Sequence, residues 1–128
     1  MRGLLDTHAM IWLIEGDARL SAAAANAIRD PLAAHWFSMA SYWEMCLKIG
    51  KGKLGLHTGW RQTLAREMHV NRISWLGIQP AHCDIATNLP HLHGDPFDRM
   101  LVAQAQREGL TIITVDGIIS DYGVPVLW

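Results

Sequence analysis

The sequence predicts an α/β fold, a central and mostly parallel β-sheet flanked by helices on both faces. Short apolar runs such as Gly3-Leu4-Leu5 and the β-branched LTIITVD of residues 110–116 alternate along the chain with longer helical segments. Those runs are continuously apolar, as strands covered on both faces must be, instead of alternating with polar residues. Right-handed crossovers then bring the strand ends to one edge, where the ligand crevice of such a sheet lies.

The elements follow in order. Arg2 to Asp6 reads as a short buried strand ending at a carboxylate, with Thr7 as the cap of a helix through Ile14. Gly16-Asp17 breaks that helix, Ser21 caps an alanine-rich second one through Ile28, and Asp30-Pro31 stops it. Ala34 to Ser38 is a second strand, and Ser41 opens a helix that ends at Gly50. Glu44, three residues after Ser41, completes a formal capping box. Ile73 to Ile78 is a strand, and Pro80 begins a helix through about Asn88, closed by Leu89-Pro90. In HGDPFDRMLVAQA, Asp95 is the N-cap, Pro96 the first helical residue and Asp98 the third, an ordinary helix start in which the dipole favours both acids. The run at 110–116 closes at Asp116, Tyr122-Gly123 turns the chain, and Val124 to Trp128 is a last short strand.

With 128 residues, half of them apolar, the chain is expected to be a single soluble domain over 1–128 that needs no disulfide or structural metal. Cys46 and Cys83 lack CxxC spacing and read as small buried hydrophobes of a reducing cytoplasm. The apolar run Ala9 to Ile14 is too short for a membrane span or a full signal core, so no membrane role is expected. Eleven basic against twelve acidic residues exclude a protein that coats nucleic acid by bulk charge. The basic residues are unevenly spread, however. Lys48, Lys51, Lys53, Arg61, Arg66 and Arg72 face only Glu67 in the stretch from 48 to 72, with Trp60 and Trp75 in or beside it. Such a run is either a solvated face or an RNA-binding patch, for which Lys48, Lys51 and Lys53 are the candidates.

Asp6 and Asp116 end two strands, and Glu44 and Asp98 sit near the starts of two helices. If all four point at one edge, their repulsion requires bound protons or a counterion. Oxygen-only donors suit a hard divalent ion, Mg²⁺ or Mn²⁺ before zinc, and phosphodiester hydrolysis is the usual work of such a centre.

LLDTHAMIWL, SYWEMCLKIGKGKL, DPFDRMLVAQA and TIITVD stand in the order and spacing of the PIN-domain proteins, and the likeness runs into the closing YGVPVLW. The sequence resembles in particular the VapC-type ribonuclease toxins of bacterial toxin–antitoxin pairs. The resemblance implies a PIN-like fold and a Mg²⁺- or Mn²⁺-dependent endoribonuclease that leaves a 3′-hydroxyl and a 5′-phosphate and inhibits translation and growth. It makes Asp6, Glu44, Asp98 and Asp116 the four acids. Asp6 and Asp98 are then direct metal ligands, Asp116 completes the metal site directly or through water, and Glu44 holds or activates the attacking water. Thr114 matches a family hydroxyl near the metal, while Asp95 is an N-cap first and a supporting site residue second. A homodimer and a small antitoxin whose tail fills the cleft are implied as well. Ile118-Ile119 depart from the aromatic that relatives often carry after the fourth acid.

Three other readings stand beside this one. His91-x-His93, with His8, suggests a zinc hydrolase, but the pair follows Pro90 in a loop where a strand would be wanted; His8 and His93 read instead as polar neighbours of the site or surface groups. A receiver-like Mg²⁺-binding module would want two adjacent early acids and a lysine after the last strand, and the chain has neither. A PIN-like domain acting only as an RNA-binding or regulatory partner is opposed by the presence of all four acids.

Overall fold

The computed structural model describes all residues, Met1–Trp128. Five strands form one sheet: β1 (Arg2–Leu5), β2 (Ala34–Ser38), β3 (Ile73–Leu76), β4 (Thr111–Ile113) and β5 (Val126–Leu127). Their order is β3-β2-β1-β4-β5, and every pairing is parallel. The chain therefore builds outward from β1 to β3, then returns to add β4 and β5 on the other side of β1. The reversal falls between β1 and β4, the place where an open parallel sheet leaves a crevice at its carboxyl edge. In register Leu5 stands opposite Ile113, so Asp6 and Thr114 leave the sheet side by side.

Consecutive strand residues serve opposite faces. Leu5, Phe37, Ile73 and Ile113 pack under α1 (Thr7–Glu15), α2 (Ala22–Arg29) and α4 (Trp60–Val70), and Met45 of α3 (Met39–Gly50) joins them. Leu4 and Ile112 face α5 (Pro80–Asn88), α6 (Pro96–Glu108) and the 3₁₀ segment Gly117–Tyr122. Leu4, Leu5, Phe37, Ile112 and Ile113 are wholly buried. Burial of such side chains stabilises the fold by roughly 1.5–3 kcal/mol each. Both faces being covered explains the unbroken apolar strands. No helix is long and apolar enough to cross a membrane.

Several local expectations are corrected. The cap of α1 is Asp6, whose Oδ1 accepts from the Ala9 N–H at 2.8 Å, and not Thr7, which is the first helical residue. Helix α3 begins at Met39, capped by Ser38, so Ser41 and Glu44 are no capping box; both are buried inside the helix. The strand at 111–113 is shorter than the apolar run suggested, and a 3₁₀ segment that the sequence reading missed follows it. The last strand is two residues long. Helix α4 was also missed: its start carries no side-chain cap and Gly59 precedes it at φ 85°, so the usual signals are absent. Cys83 is exposed and Cys46 half-buried, so neither is the buried hydrophobe expected. Trp60 is in the core, whereas Trp75 is about half exposed.

Gly3 is required by packing. A Cβ built on it would stand 2.5 Å from Nδ1 of His35, the residue opposite on β2. That buried imidazole is tied to the Ala27 carbonyl through Nε2 at 2.8 Å, and burial lowers its pKa, so it cannot swing out without losing a bond. Gly3→Ala is therefore expected to destabilise the protein by about 1–3 kcal/mol, the usual range for overpacking a filled site. Urea or thermal unfolding of the variant checks this, and an unchanged midpoint contradicts it.

Candidate active site: an acidic cleft at the β1–β4 switch

A cleft of about 210 Å³ opens at the carboxyl edge of β1 and β4, lined by Asp6, Glu44, Asp95, Asp98 and Asp116 with Thr7, His8, Lys48 and Val115. All four acids singled out in the sequence thus meet, and Asp95 joins them. Asp95 and Asp98 share the start of α6, and the other three come from different elements.

Asp6 is the first residue beyond β1, almost wholly buried, and its N–H donates to the Ile113 carbonyl at 3.1 Å. Burial raises its pKa, while bonds from the Thr114 hydroxyl and the Ala9 N–H and the nearby His8 work against that rise. Thr114 is itself buried, and its Oγ1 accepts from the Asp116 N–H at 3.0 Å. Its hydroxyl thereby links the first and fourth acids. Asp116 caps the 3₁₀ segment through Oδ1, which accepts from the Ile118 N–H at 3.0 Å.

Glu44 lies in the second turn of α3, buried, with the Thr7 hydroxyl donating to Oε1 at 2.6 Å and the Lys48 ammonium 2.8 Å from Oε2. The bond to Lys48 joins residues i and i+4, neighbours on one helix face. That spacing was visible in the sequence; the bond to Thr7, 37 residues away in the chain, was not.

Asp98 is the third residue of α6. Asp95, its N-cap, accepts through Oδ1 from the N–H groups of Phe97 at 2.8 Å and Asp98 at 3.3 Å, so the predicted capping role and a place in the cleft coexist. The Asp98 pKa is raised to about 7, first by burial, then by Asp95, with Asp6 and Glu44 adding and His93 opposing. Burial and the neighbouring acids thus favour the protonated form of this carboxyl relative to an ordinary one.

His93 is the residue whose role the sequence left undecided. Its Nε2 lies 3.1 Å from Asp98 Oδ2 and 3.0 Å from Asp116 Oδ2. One donor atom from each of these three residues lies within 4.8 Å of the others. His91, exposed, shares a neighbouring surface depression with His93 but is not among the residues whose donor atoms cluster with Asp98 and Asp116, and His8 stands exposed at the cleft rim. Of the three lysines proposed for RNA, Lys48 reaches the cleft. Lys53 lines an adjoining groove with Lys48, His8 and Arg19, and Lys51 lines neither.

The donor set fits a hard divalent cation. Five carboxylates converge, and the raised pKa of Asp98 reflects its burial first and then the neighbouring acids, with His93 opposing.

An acid-lined crevice at the switch point of a five-stranded parallel sheet defines a small α/β protein with its ligand site at the carboxyl edge of the strands. The PIN domain profile matches residues 3–125, and this chain belongs to the PIN-domain family. Ribonuclease VapC22 of Mycobacterium tuberculosis is 35% identical over 119 residues, covering 88% of this chain and 85% of that protein. Among solved structures, VapBC2 of Rickettsia felis, bound to a DNA fragment from its promoter, superposes with a TM-score of 0.69 at 12% identity, over 99% of this chain and 98% of that one. A toxin–antitoxin complex from Klebsiella pneumoniae gives 0.66 at 20% identity, over 98% and 96%.

The Asp98 carboxyl generates a pH prediction. Its folded pKa lies above the unfolded value, so the folded protein holds a proton there between about pH 4 and 7, and a divalent ion bound at this carboxyl would release it in that window. Metal affinity is expected to climb as pH rises towards about 7 and then flatten. Calorimetry at pH 5.5, 6.5 and 7.5 checks this, and an affinity equal at all three contradicts it.

Proposed function

We propose that this protein is a VapC-type endoribonuclease, the toxin of a toxin–antitoxin pair, and that Asp6, Glu44, Asp98 and Asp116 carry the hydrolysis of an RNA phosphodiester with Mg²⁺ or Mn²⁺. The observation that carries this reading is the convergence of these four acids at the β1–β4 switch of a PIN fold. The ribonuclease relative at 35% identity supports the reaction, and the toxin–antitoxin structures of the same fold support the biological setting.

Asp6 and Asp98, fixed by a strand end and a helix start, would hold the ion, with Asp116 completing its surroundings directly or through water. A bound divalent ion supplies a water of lowered pKa and stabilises charge on the phosphate. Glu44 is restrained by Thr7 and Lys48, so its carboxylate keeps one orientation and can align the attacking water. Thr114 links the Asp6 carboxyl to the Asp116 backbone N–H, and its bond to Asp6 works against the burial that raises the pKa of that carboxyl. Lys48 at the rim, with Lys53 along the adjoining groove, forms a positive track leading out of an acidic centre, while Arg19 in that groove is paired with Asp17. A phosphate backbone held on that track would present one linkage to the acids. Lys51 has no place on it.

Under the same reading the protein pairs with a small antitoxin and with a second copy of itself. An antitoxin arginine entering the cleft would meet five carboxylates, a match of charge and geometry. Met39 and Trp43, one turn apart on α3 and both exposed, offer apolar surface for assembly.

Asp98→Asn removes one charge at nearly constant shape. The purified protein is expected to cut total cellular RNA into discrete fragments with Mn²⁺ or Mg²⁺, and the variant to lose at least a hundredfold in rate while melting as a folded protein. Cleavage that survives EDTA, or a variant as active as the parent, overturns the assignment. Lys53→Ala is expected to weaken RNA binding and to lower its salt slope by about one unit, the contribution of one phosphate contact. Lys51→Ala should do neither; equal effects of the two substitutions in a salt titration would refute the track.

A further inference from the structure

We infer that His93 is a positioning residue of the acidic cleft: its Nε2–H holds Asp98 and Asp116 at a set separation, and this raises the cleft's affinity for a divalent cation. The inference rests on the nuclease reading above and deepens it.

The loop that carries His93 is pinned from outside the cleft. The His93 N–H donates to the Tyr122 hydroxyl at 2.8 Å, and Arg99 donates to the same hydroxyl at 3.3 Å. The Arg99 guanidinium also spans the carbonyls of Ala86, Leu89 and Pro90 at 2.8–3.1 Å. One arginine on α6 therefore fixes both the end of α5 and the loop after it.

The imidazole is then fixed in orientation and tautomer. Nδ1 accepts from the Asp95 N–H at 3.2 Å, so it carries no proton and the ring proton is on Nε2. Nε2 faces Oδ2 of Asp98 at 3.1 Å and Oδ2 of Asp116 at 3.0 Å. A protonated nitrogen has no lone pair for a metal, so this tautomer makes His93 a donor to the acids and not a third ligand. The two acids belong to α6 and to the segment after β4, and no backbone hydrogen bond joins those residues to each other. The ring nitrogen hydrogen-bonds Asp116 and stands against Asp98, which offsets the repulsion between the two acids and leaves Asp98 Oδ1 without a protein partner. Hydrogen bonds of this kind to ligating groups are commonly worth 10–100-fold in metal affinity.

Binding of Mn²⁺ and Mg²⁺ to the full chain, measured by calorimetry beside thermal melts, tests the inference with three variants. His93→Ala is expected to bind at least tenfold more weakly. His93→Gln, whose amide nitrogen extends about as far as Nε2 and donates, should recover most of the affinity, whereas the shorter His93→Asn should behave as the alanine variant. Affinity equal to or above wild type in His93→Ala overturns the inference, as does a glutamine variant no better than asparagine. Pulsed EPR of the Mn²⁺-loaded wild type should show no directly bound imidazole nitrogen; a strong nitrogen coupling that His93→Gln abolishes makes His93 a ligand and also overturns it. The nuclease reading fails separately: wild type that binds no divalent metal, or Asp98→Asn that binds like wild type, refutes that reading and the inference with it. Normal wild-type binding with an unaffected alanine variant refutes the His93 role alone.

Discussion

The pairing of β1 on both of its sides is the constraint on which the cleft depends. Four residues, Arg2 to Leu5, hydrogen-bond to β2 on one edge and β4 on the other, so the strand's exit point is shared by the two halves of the sheet. Asp6 emerges there with its backbone still tied to Ile113, and the chain turns at once into α1, which the same carboxylate caps. Little freedom remains to that side chain. The other acids are brought to it by the connections that follow β2 and β4 and by the start of α6.

A cluster assembled in this way is electrostatically unfavourable, and the protein answers with local donors in place of full neutralisation. Glu44 has Thr7 and Lys48, Asp6 has Thr114 and the Ala9 N–H, and Asp98 and Asp116 share His93. The raised pKa of Asp98 reflects its burial first, and then the crowding from Asp95, Asp6 and Glu44. A group held between protonated and ionised states responds to any cation that arrives. Repulsion of this kind is relieved when a cation is bound.

The cations are arranged to suit that chemistry. Lys48 is drawn to the rim by Glu44 and still keeps more than a third of its side chain exposed, while Lys53 continues the positive edge beyond His8. Net charge near zero therefore conceals a separation of sign across a short distance, acids inside and bases outside. RNA held this way would depend on salt at the rim and on metal at the centre.

The sequence by itself determined the α/β class, the order of nearly all the elements, and the acids Asp6, Asp98 and Asp116. These depend on local signals: unbroken apolar runs, an Asp-Pro helix start, a carboxylate ending a strand. It did not determine Glu44's role, because Ser-x-x-Glu is also a capping box and only the start of α3 at Ser38 removes that option. Helix α4 was illegible because a left-handed glycine opens it without a side-chain cap. Cys83 was misjudged because apolar neighbours in sequence point to different faces in space. What only the tertiary structure decided is the meeting of groups far apart in the chain: Thr7 with Glu44, Asp6 with Thr114, and His93 with Asp98 and Asp116. Hydrogen bonds between side chains depend on directions set by packing, and a sequence records spacing along one element but not orientation between two.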